Sequence, residues 1–432
     1  MTAMLAQAGA STGSRGRLAL GILALVLFVN YLDRYALSVL LEGIKADLRL
    51  SDTQVGLLTG AAFALLYATL AMPVARIAEH KNRVMVLTIA ILLWSAGTFL
   101  CGLAGSYAML FLARMLVGTG ESGVMPTSHS IVGDSYPMAR RGTALAILSC
   151  GGALGTALAP AIAGYLEDRL GWRGTFMALG LLGLPVALAL AWVVKDPARG
   201  LSDGRPAGDA PPFIVALKRL LSRPAFVLMA PAMVITGLAE YSLFLWLPSY
   251  LSRTYGGSAA SVGAMLTLFQ GLPLFAGTLA GGMIIDRLVR RDPRWLARVP
   301  AIACLLAAPS ILLIFISPSL EIALAMMIIP SLALGLYLAP CYTLLQSVAG
   351  ARSRATAVAL MTFLVNVIGL GFGPVLIGGL SDILKAAHGA DSLRLAFFVV
   401  PPLYLTAGAT YLLIARFVPS AMAAASQESV AD

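Results

Sequence analysis

Charge is what this sequence lacks most. Only 12% of its residues are Asp, Glu, Lys or Arg, against about 25% in a soluble globular domain. A chain so poor in charge, and 59% hydrophobic, cannot clothe a water-facing surface. A soluble enzyme is excluded, and a bilayer is left as the main solvent. Histidine is nearly absent, and His80, His129 and His388 are scattered. The four cysteines, Cys101, Cys150, Cys304 and Cys341, lie in apolar runs without metal-ligand spacing and read as small core residues. No metal site and no catalytic residue set is therefore expected. A Walker-type phosphate loop is missing, which argues against direct ATP drive. The basic excess, a net charge of +10, sits in short loops with no continuous basic face, so nucleic acid is not an expected partner.

What is there in abundance is apolar length. Runs able to span about 30 Å of hydrocarbon fall at 18–40, 53–76, 84–105, 107–131, 142–166 and 174–194. A second set follows at 225–250, 259–285, 299–317, 320–347, 355–384 and 393–416. The first run follows Arg15 and Arg17 and lacks a small-residue cleavage site before Asn30, so it reads as a retained span. One long polar stretch, 195–223, separates the sets. The expected organisation is a tail at 1–17, a six-helix bundle at 18–194, a linker at 195–223, a second bundle at 224–417 and a tail at 418–432. Placing the N-terminus in the cytoplasm puts 21 of the 30 Lys and Arg residues on that side. Both termini are then cytoplasmic, in an inner (plasma) membrane of bacterial type.

The halves repeat. Arg140, Gly155, Pro160, Gly164 and Asp168 recur 214 positions later as Arg354, Gly369, Pro374, Gly378 and Asp382. Glu79 and Arg83 recur 207 positions later as Asp286 and Arg290. Parallel six-span repeats imply an all-α membrane protein of twelve transmembrane helices in two bundles related by an axis along the membrane normal.

Charge inside a bilayer is costly and functional by default. The first run carries Asn30, Asp33 and Arg34, and the fourth carries Arg114 and Glu121. At 1.5 Å per residue, Asp33 and Arg114 reach similar depths in oppositely directed helices. Arg114 and Glu121, seven apart, share one helix face. Two acids and two bases thus converge on one cavity. A buried carboxylate beside an arginine is pulled two ways in its proton affinity, which suits Glu121 and Asp33 to proton coupling. Arg34, Arg114 and Asn30 are candidate substrate contacts, with Asp33 expected to pair with Arg34 or Arg114. The same four charges would equally make a static network that only holds helices together.

Residues 282–291, from Gly282 through Asp286, Arg287 and Arg290 to Arg291, closely resemble the G-x-x-x-D-R-x-G-R-R loop signature of the major facilitator superfamily. Its first-half counterpart is degraded to Ala75, Glu79, His80 and Arg83. An acid there can accept from helix N-terminal amides while arginines hold neighbouring helix ends. Glu79, Arg83, Asp134, Arg140, Asp286, Arg287 and Arg290 are accordingly candidate gating residues; they also serve as positive-inside anchors. The glycines and proline of 151–164 resemble the same superfamily's glycine-proline helix signature. Further runs resemble the spinster family: Asn30-Tyr31-Leu32-Asp33-Arg34, Gly56-Leu57-Leu58-Thr59, Trp94-Ser95, 114–121, 134–137 with Arg140, and Trp246-Leu247-Pro248. That resemblance implies a transporter of lysophospholipids or sphingosine-1-phosphate, with proton coupling in some members. It places the family's acid–base set on Asp33, Arg34, Arg114 and Glu121.

The second half offers Glu240, 207 positions after Asp33, which can face a cavity or merely satisfy helix packing. Trp246 and Phe269, among other aromatics, suggest an apolar wall, with Gln270 and Asn366 as hydrogen-bonding groups upon it. Three strings are set aside. Residues 118–123 spell a dinucleotide fingerprint but lie within a span. Residues 200–204 spell a nucleophile elbow but lie in the polar linker. His129 reads as an interfacial histidine. The expected protein is a proton-linked secondary transporter of an anionic amphiphile, working as a monomer in the bilayer with no cofactor beyond the proton. An organic-anion symporter, with Arg34 and Arg114 clamping a carboxylate, is the alternative. A lipid-modifying enzyme would need a nucleophile or metal constellation that three scattered histidines do not supply. A channel fits one asymmetric charged cavity less well.

Overall fold

The computed structural model describes residues 14–197, 213–350 and 353–431, and among these there is no strand. The first thirteen residues of the expected tail and residues 198–212 of the linker, with the elbow-like string at 200–204, lie outside the described residues. Helices α1 (Ser14–Leu48), α2 (Asp52–Thr59), α3 (Ala61–His80), α4 (Arg83–Gly102), α5 (Tyr107–Glu121), α6 (Val124–Ser135) and α7 (Met138–Val193) make up the first half. The second half holds α8 (Phe213–Leu221), α9 (Pro224–Tyr255), α10 (Ala259–Leu266), α11 (Leu272–Val289), α12 (Trp295–Ile316) and α13 (Leu320–Ala349). It continues through α14 (Arg354–Leu364), α15 (Gly371–His388), α16 (Ser392–Ala396) and α17 (Val400–Ala431).

Among the described residues, nine helical stretches are long and apolar enough to cross a membrane. Two of them are double. Gly171, at φ 65°, breaks α7, and Gly389, at φ 54°, ends α15 within the stretch Thr356–Ala423. A further stretch, α5 and α6, is interrupted at Ser122 and Gly123. The layout is consistent with twelve crossings. Large side chains such as Leu112, Trp192 and Ile383 stand exposed, as lipid-facing residues should.

The described chain forms two compact units. Of the described residues, one comprises those within 14–50, 61–197 and 258–263, and the other those within 51–60, 213–257, 264–350 and 353–431. In the first, glycines let backbones meet. A Cβ on Gly151 or Gly155 would stand 2.1 Å or 2.3 Å from the carbonyls of Ala24 and Phe28 in α1. Gly118 and Gly120 likewise press α5 onto the backbone at Phe63 and Trp94. The glycines of the fingerprint-like string are thus close-packing residues.

The repeated acids do the same work in each unit. In the first, the Asp168 carboxylate accepts from the backbone amides of Ala259 and Ala260, at 3.0 and 3.2 Å, where α10 begins. In the second, Asp382 accepts from the amides of Asp52 (3.1 Å) and Thr53 (2.7 Å) at the start of α2. Both satisfy helix-end donors that have no intrahelical partner. Glycines allow the approach: a Cβ on Gly164 or Gly378 would lie 2.2 Å from the carbonyl of Ala259 or Asp52. Asp52 itself receives both Nη groups of Arg253, at 2.9 and 2.8 Å, and the Ser381 hydroxyl at 2.6 Å.

Two π-helical turns, Thr267–Gly271 and Val365–Leu370, interrupt otherwise regular helices of the second unit. Each has a proline just beyond it. Pro273 and Pro374 carry no N–H to reach the carbonyls four residues back, those of Phe269 and Leu370. The turn widens where that bond is missing. Gln270 lies in the first turn and Asn366 in the second.

Candidate functional site

The first unit concentrates buried charge. On α1, Asn30, Asp33 and Arg34 are 1%, 2% and 8% exposed, and on α5, Arg114 and Glu121 are each 1% exposed. Glu121 is the last residue of α5, at the negative end of a helix, where a carboxylate needs a compensating cation. Arg34 supplies it: Nε and Nη2 donate to Oε2 of Glu121 at 2.8 and 2.7 Å. The guanidinium also lies over three rings, with centroids at 5.1 Å (Tyr31), 4.9 Å (Phe63) and 4.6 Å (Tyr67). Arg114 shares the Phe63 ring, at 5.4 Å. Such stacking favours a desolvated cation without neutralising it.

Asp33 departs from expectation. It is joined to neither arginine by an ion pair among the described residues; the Thr98 hydroxyl donates to its Oδ2 at 2.5 Å. Arg114 is an electrostatic neighbour of both acids. It makes no ion pair among the described residues, and its Nε and Nη1 have no acceptor. Asp33 Oδ1, Glu121 Oε1 and Asn30 Nδ2 are also buried without partners. So many unmatched donors and acceptors in one cluster can take a proton, water or the polar part of a substrate.

Of the expected gating residues, Arg83 and Asp134 are brought together. Arg83 Nη1 meets Asp134 at 2.5 Å and its Nε meets Asp196 at 2.7 Å. Its backbone amide also donates to Asp196, at 3.0 Å. Asp196 is a partner that sequence reasoning left in the linker. Glu79, Arg140, Asp286, Arg287 and Arg290 are exposed. None of these five makes an ion pair among the described residues, so the expected latch is not assembled from them.

In the second unit, Glu240, Leu243, Phe244, Gln270, Leu274, Pro330, Ser331 and Leu334 line a small recess of about 20 Å³. Phe269 is partly exposed. Asn366 turns its amide back to the carbonyl of Thr362, at 2.7 Å. Trp246 corrects the expectation of a substrate wall: it is fully buried, and its indole N–H donates to the Pro374 carbonyl at 2.8 Å. Its role is to bind α9 to α15. His129 hydrogen-bonds the carbonyl of Met125 within its own helix. No cluster of His, Cys, Asp or Glu suited to a metal occurs among the described residues.

Sequence reasoning missed Phe63, Tyr67 and Thr98. The two aromatics are one helical turn apart on α3, a visible stripe, but nothing in the sequence says that it faces two arginines.

Residues 23–374 match the Major Facilitator Superfamily. An MFS-type efflux pump of Mycolicibacterium smegmatis is 34% identical over 385 residues, covering 88% of each chain. The sphingosine-1-phosphate transporter SPNS2 of Danio rerio is 27% identical, over 92% of this chain and 84% of that protein. The crystal structure of a bacterial homologue of the human lysosomal transporter Spinster, in an inward-facing and unoccupied conformation, superimposes with a TM-score of 0.86 at 28% identity. That match covers 95% of this chain and 99% of the other. With its all-helical fold, apolar spans and repeated halves, this chain is a multi-pass membrane transporter, not an enzyme, and it belongs to the Major Facilitator Superfamily.

Proposed function

We propose that this transporter couples proton movement to the passage of an anionic amphiphile with one acyl chain, of the lysophospholipid or sphingolipid kind. The observation that carries the reading is the state of the two arginines. Arg34 spends two donors on Glu121, while two donor nitrogens of Arg114, Nε and Nη1, stand without acceptors. When Glu121 takes a proton it loses the charge that holds Arg34, and Nε and Nη2 become free for an anion. An anion arriving at Arg34 displaces the carboxylate, which then gains a proton more readily. Proton and anion therefore favour each other, and by linkage each raises the affinity of the other equally. Asp33, held by Thr98 in the same cluster, is the second proton-exchanging group. Glu240, Gln270, Phe269 and Asn366 remain candidate contacts of the second unit, and Arg83 with Asp134 a gating pair.

The spinster likeness, and the sphingosine-1-phosphate transport for which the SPNS2 relative is named, support the lipid class. A short organic anion is the second reading, because the free N–H groups of Arg114 suit a carboxylate and ask for no tail. The protein works as a monomer in the bilayer of a bacterial inner membrane, with both termini cytoplasmic. The test is binding of a lysophospholipid to the purified protein at several pH values. Affinity should rise as pH falls, and Glu121→Gln, which leaves Arg34 without a carboxylate partner, should flatten that dependence. An unchanged pH profile in the variant would remove Glu121 from the coupling.

A further inference from the structure

The second unit contains a carboxylate that nothing in the first unit's chemistry uses. Glu240 lies midway along α9, and among the described residues it makes no ion pair and no hydrogen bond. Its electrostatic neighbours, Cys304 and Tyr404, are not cations. Nor can a cation reach it from nearby sequence. No Lys or Arg occurs at 224–252, 259–286, 299–350, 355–384 or 395–415. An ionised carboxylate so placed is costly unless something pairs with it.

The recess at Glu240 is specific in its hydrogen-bonding character. Three polar side chains line it: Glu240, Gln270 and Ser331. Gln270 is 7% exposed and makes no hydrogen bond among the described residues. It is presented by the π turn, a distortion that recurs at functional sites. Ser331 has already donated its proton to the Met327 carbonyl, at 2.7 Å, so its oxygen can only accept. An ionised Glu240 accepts only, and the Gln270 carbonyl accepts as well, while the Gln270 NH2 is the one donor group among the three side chains. The remainder of the wall is apolar: Leu243, Phe244, Leu274, Pro330 and Leu334. Three acceptors, one of them negative, in an apolar recess match a group with three N–H donors, a positive charge and no acceptor.

We infer that the second unit carries a binding site of its own for a primary ammonium group on an apolar stem, with Glu240 as counter-ion and Gln270 and Ser331 as acceptors. Glu240 and Gln270 are the second-unit contacts named in the proposed function, and their preference for an ammonium does not depend on the arginines of the first unit. A zwitterionic or cationic amphiphile presents such a group, whereas a simple organic acid does not.

The probe is hexylamine, beside hexan-1-ol and hexanoate, titrated calorimetrically into the full-length protein in detergent with no anionic lipid present. The amine should bind about tenfold or more tightly than the alcohol, as expected for a hydrogen bond to a charged group, and any hexanoate taken up by the arginines of the first unit should bind equally well to the Glu240 variant below. Glu240→Gln should erase the preference of amine over alcohol, and Gln270→Leu should reduce it several-fold. The comparison of amine with alcohol needs only the wild-type protein, so a poorly folding variant leaves it intact. Equal binding of amine and alcohol, or a preference that survives Glu240→Gln, overturns the inference and leaves Glu240 as a protonated packing residue. Loss of pH-linked anion binding elsewhere would not alter this result, so the two readings fail separately.

Discussion

Arg34 and Glu121 are joined twice on one oxygen: Nε and Nη2 of the arginine converge on Oε2 of the glutamate, at 2.8 and 2.7 Å. The other carboxylate oxygen, Oε1, has no partner. The pair is therefore firm in geometry yet incomplete in hydrogen bonding. A fully satisfied pair would be a structural rivet; one with a bare oxygen retains a seat for a proton.

Replacing Glu121 separates these roles. Glu121→Ala strands a buried guanidinium, and breaking a buried pair by removing one partner costs about 3–5 kcal/mol. A clear fall in thermal stability is expected, partly offset by the three rings around Arg34. Glu121→Gln keeps the shape and an acceptor, so the protein should fold and retain some binding while proton-driven transport is lost. Uptake driven by an imposed pH gradient in proteoliposomes, measured beside equilibrium binding, checks both halves.

Thr98 holds Asp33 in the place where an arginine was expected. Thr98→Val preserves volume but leaves Oδ2 without its donor. An unsatisfied buried acceptor costs about 1–3 kcal/mol, so thermal stability should drop on that scale. Because Asp33 belongs to the charged cluster, the pH profile of transport should also change. If stability falls and the pH profile does not move, Asp33 is a packing residue with no part in proton exchange.

The presence of this cluster was legible in the sequence because charge within apolar runs is rare, and Asp33, Arg34, Arg114 and Glu121 stood out for that reason alone. Its wiring was not. Asp33 and Arg34 are consecutive, so their side chains leave the helix about 100° apart and meet different neighbours. One turns to Thr98 on α4 and the other to Glu121 on α5. No spacing rule along a single helix reveals which. The crossings and the repeat were legible because span length and the 214-residue offset are properties of the string itself. The use of Asp168 and Asp382 as helix-end acceptors required the backbone of another helix to be in place. Trp246 misled for a related reason: an aromatic sealed between helices and one lining a cavity are written with the same letter.

Gly120 tests the packing that holds α5 against α4. A Cβ there would stand 2.4 Å from the backbone nitrogen of Trp94, and backbone cannot swing away as a flexible side chain can. Gly120→Ala should therefore destabilise by about 1–3 kcal/mol through overpacking. It should also lower transport by shifting the neighbouring Glu121. Gly133→Ala, where a Cβ meets nothing within 4 Å, is the control and should leave thermal stability nearly unchanged.

Arg114 should matter through its shape as well as its charge. Its Nε and Nη1 lie unpaired, and a guanidinium offers them in a planar fork that a lysine ammonium lacks. Arg114→Lys keeps the charge but should weaken binding of a phosphate or carboxylate headgroup by about tenfold, the equivalent of one charge-assisted hydrogen bond. Equal headgroup binding by Arg114→Lys and wild type would show that the fork is not used. Arg114 would then act only as a countercharge to Asp33 and Glu121.

Chain length decides between an amphiphile and a short anion. Each methylene enclosed in an apolar site contributes about 0.8 kcal/mol, close to a fourfold gain in affinity per carbon. Lysophospholipids sharing one headgroup and differing in acyl length should then bind progressively tighter until the enclosed volume is filled, and no further. Because longer chains also partition more strongly into detergent, the affinities must be referred to free monomer concentration. The headgroup contribution, set by Arg34 and Arg114, should stay constant along the series, so Arg114→Lys should shift every member by the same factor. A short organic anion would behave differently: it would bind through the arginines alone, and adding carbons would bring no gain. A flat series, with short acids binding as well as long-chain lipids, would defeat the lipid reading and leave an organic-anion symporter built on the same two arginines.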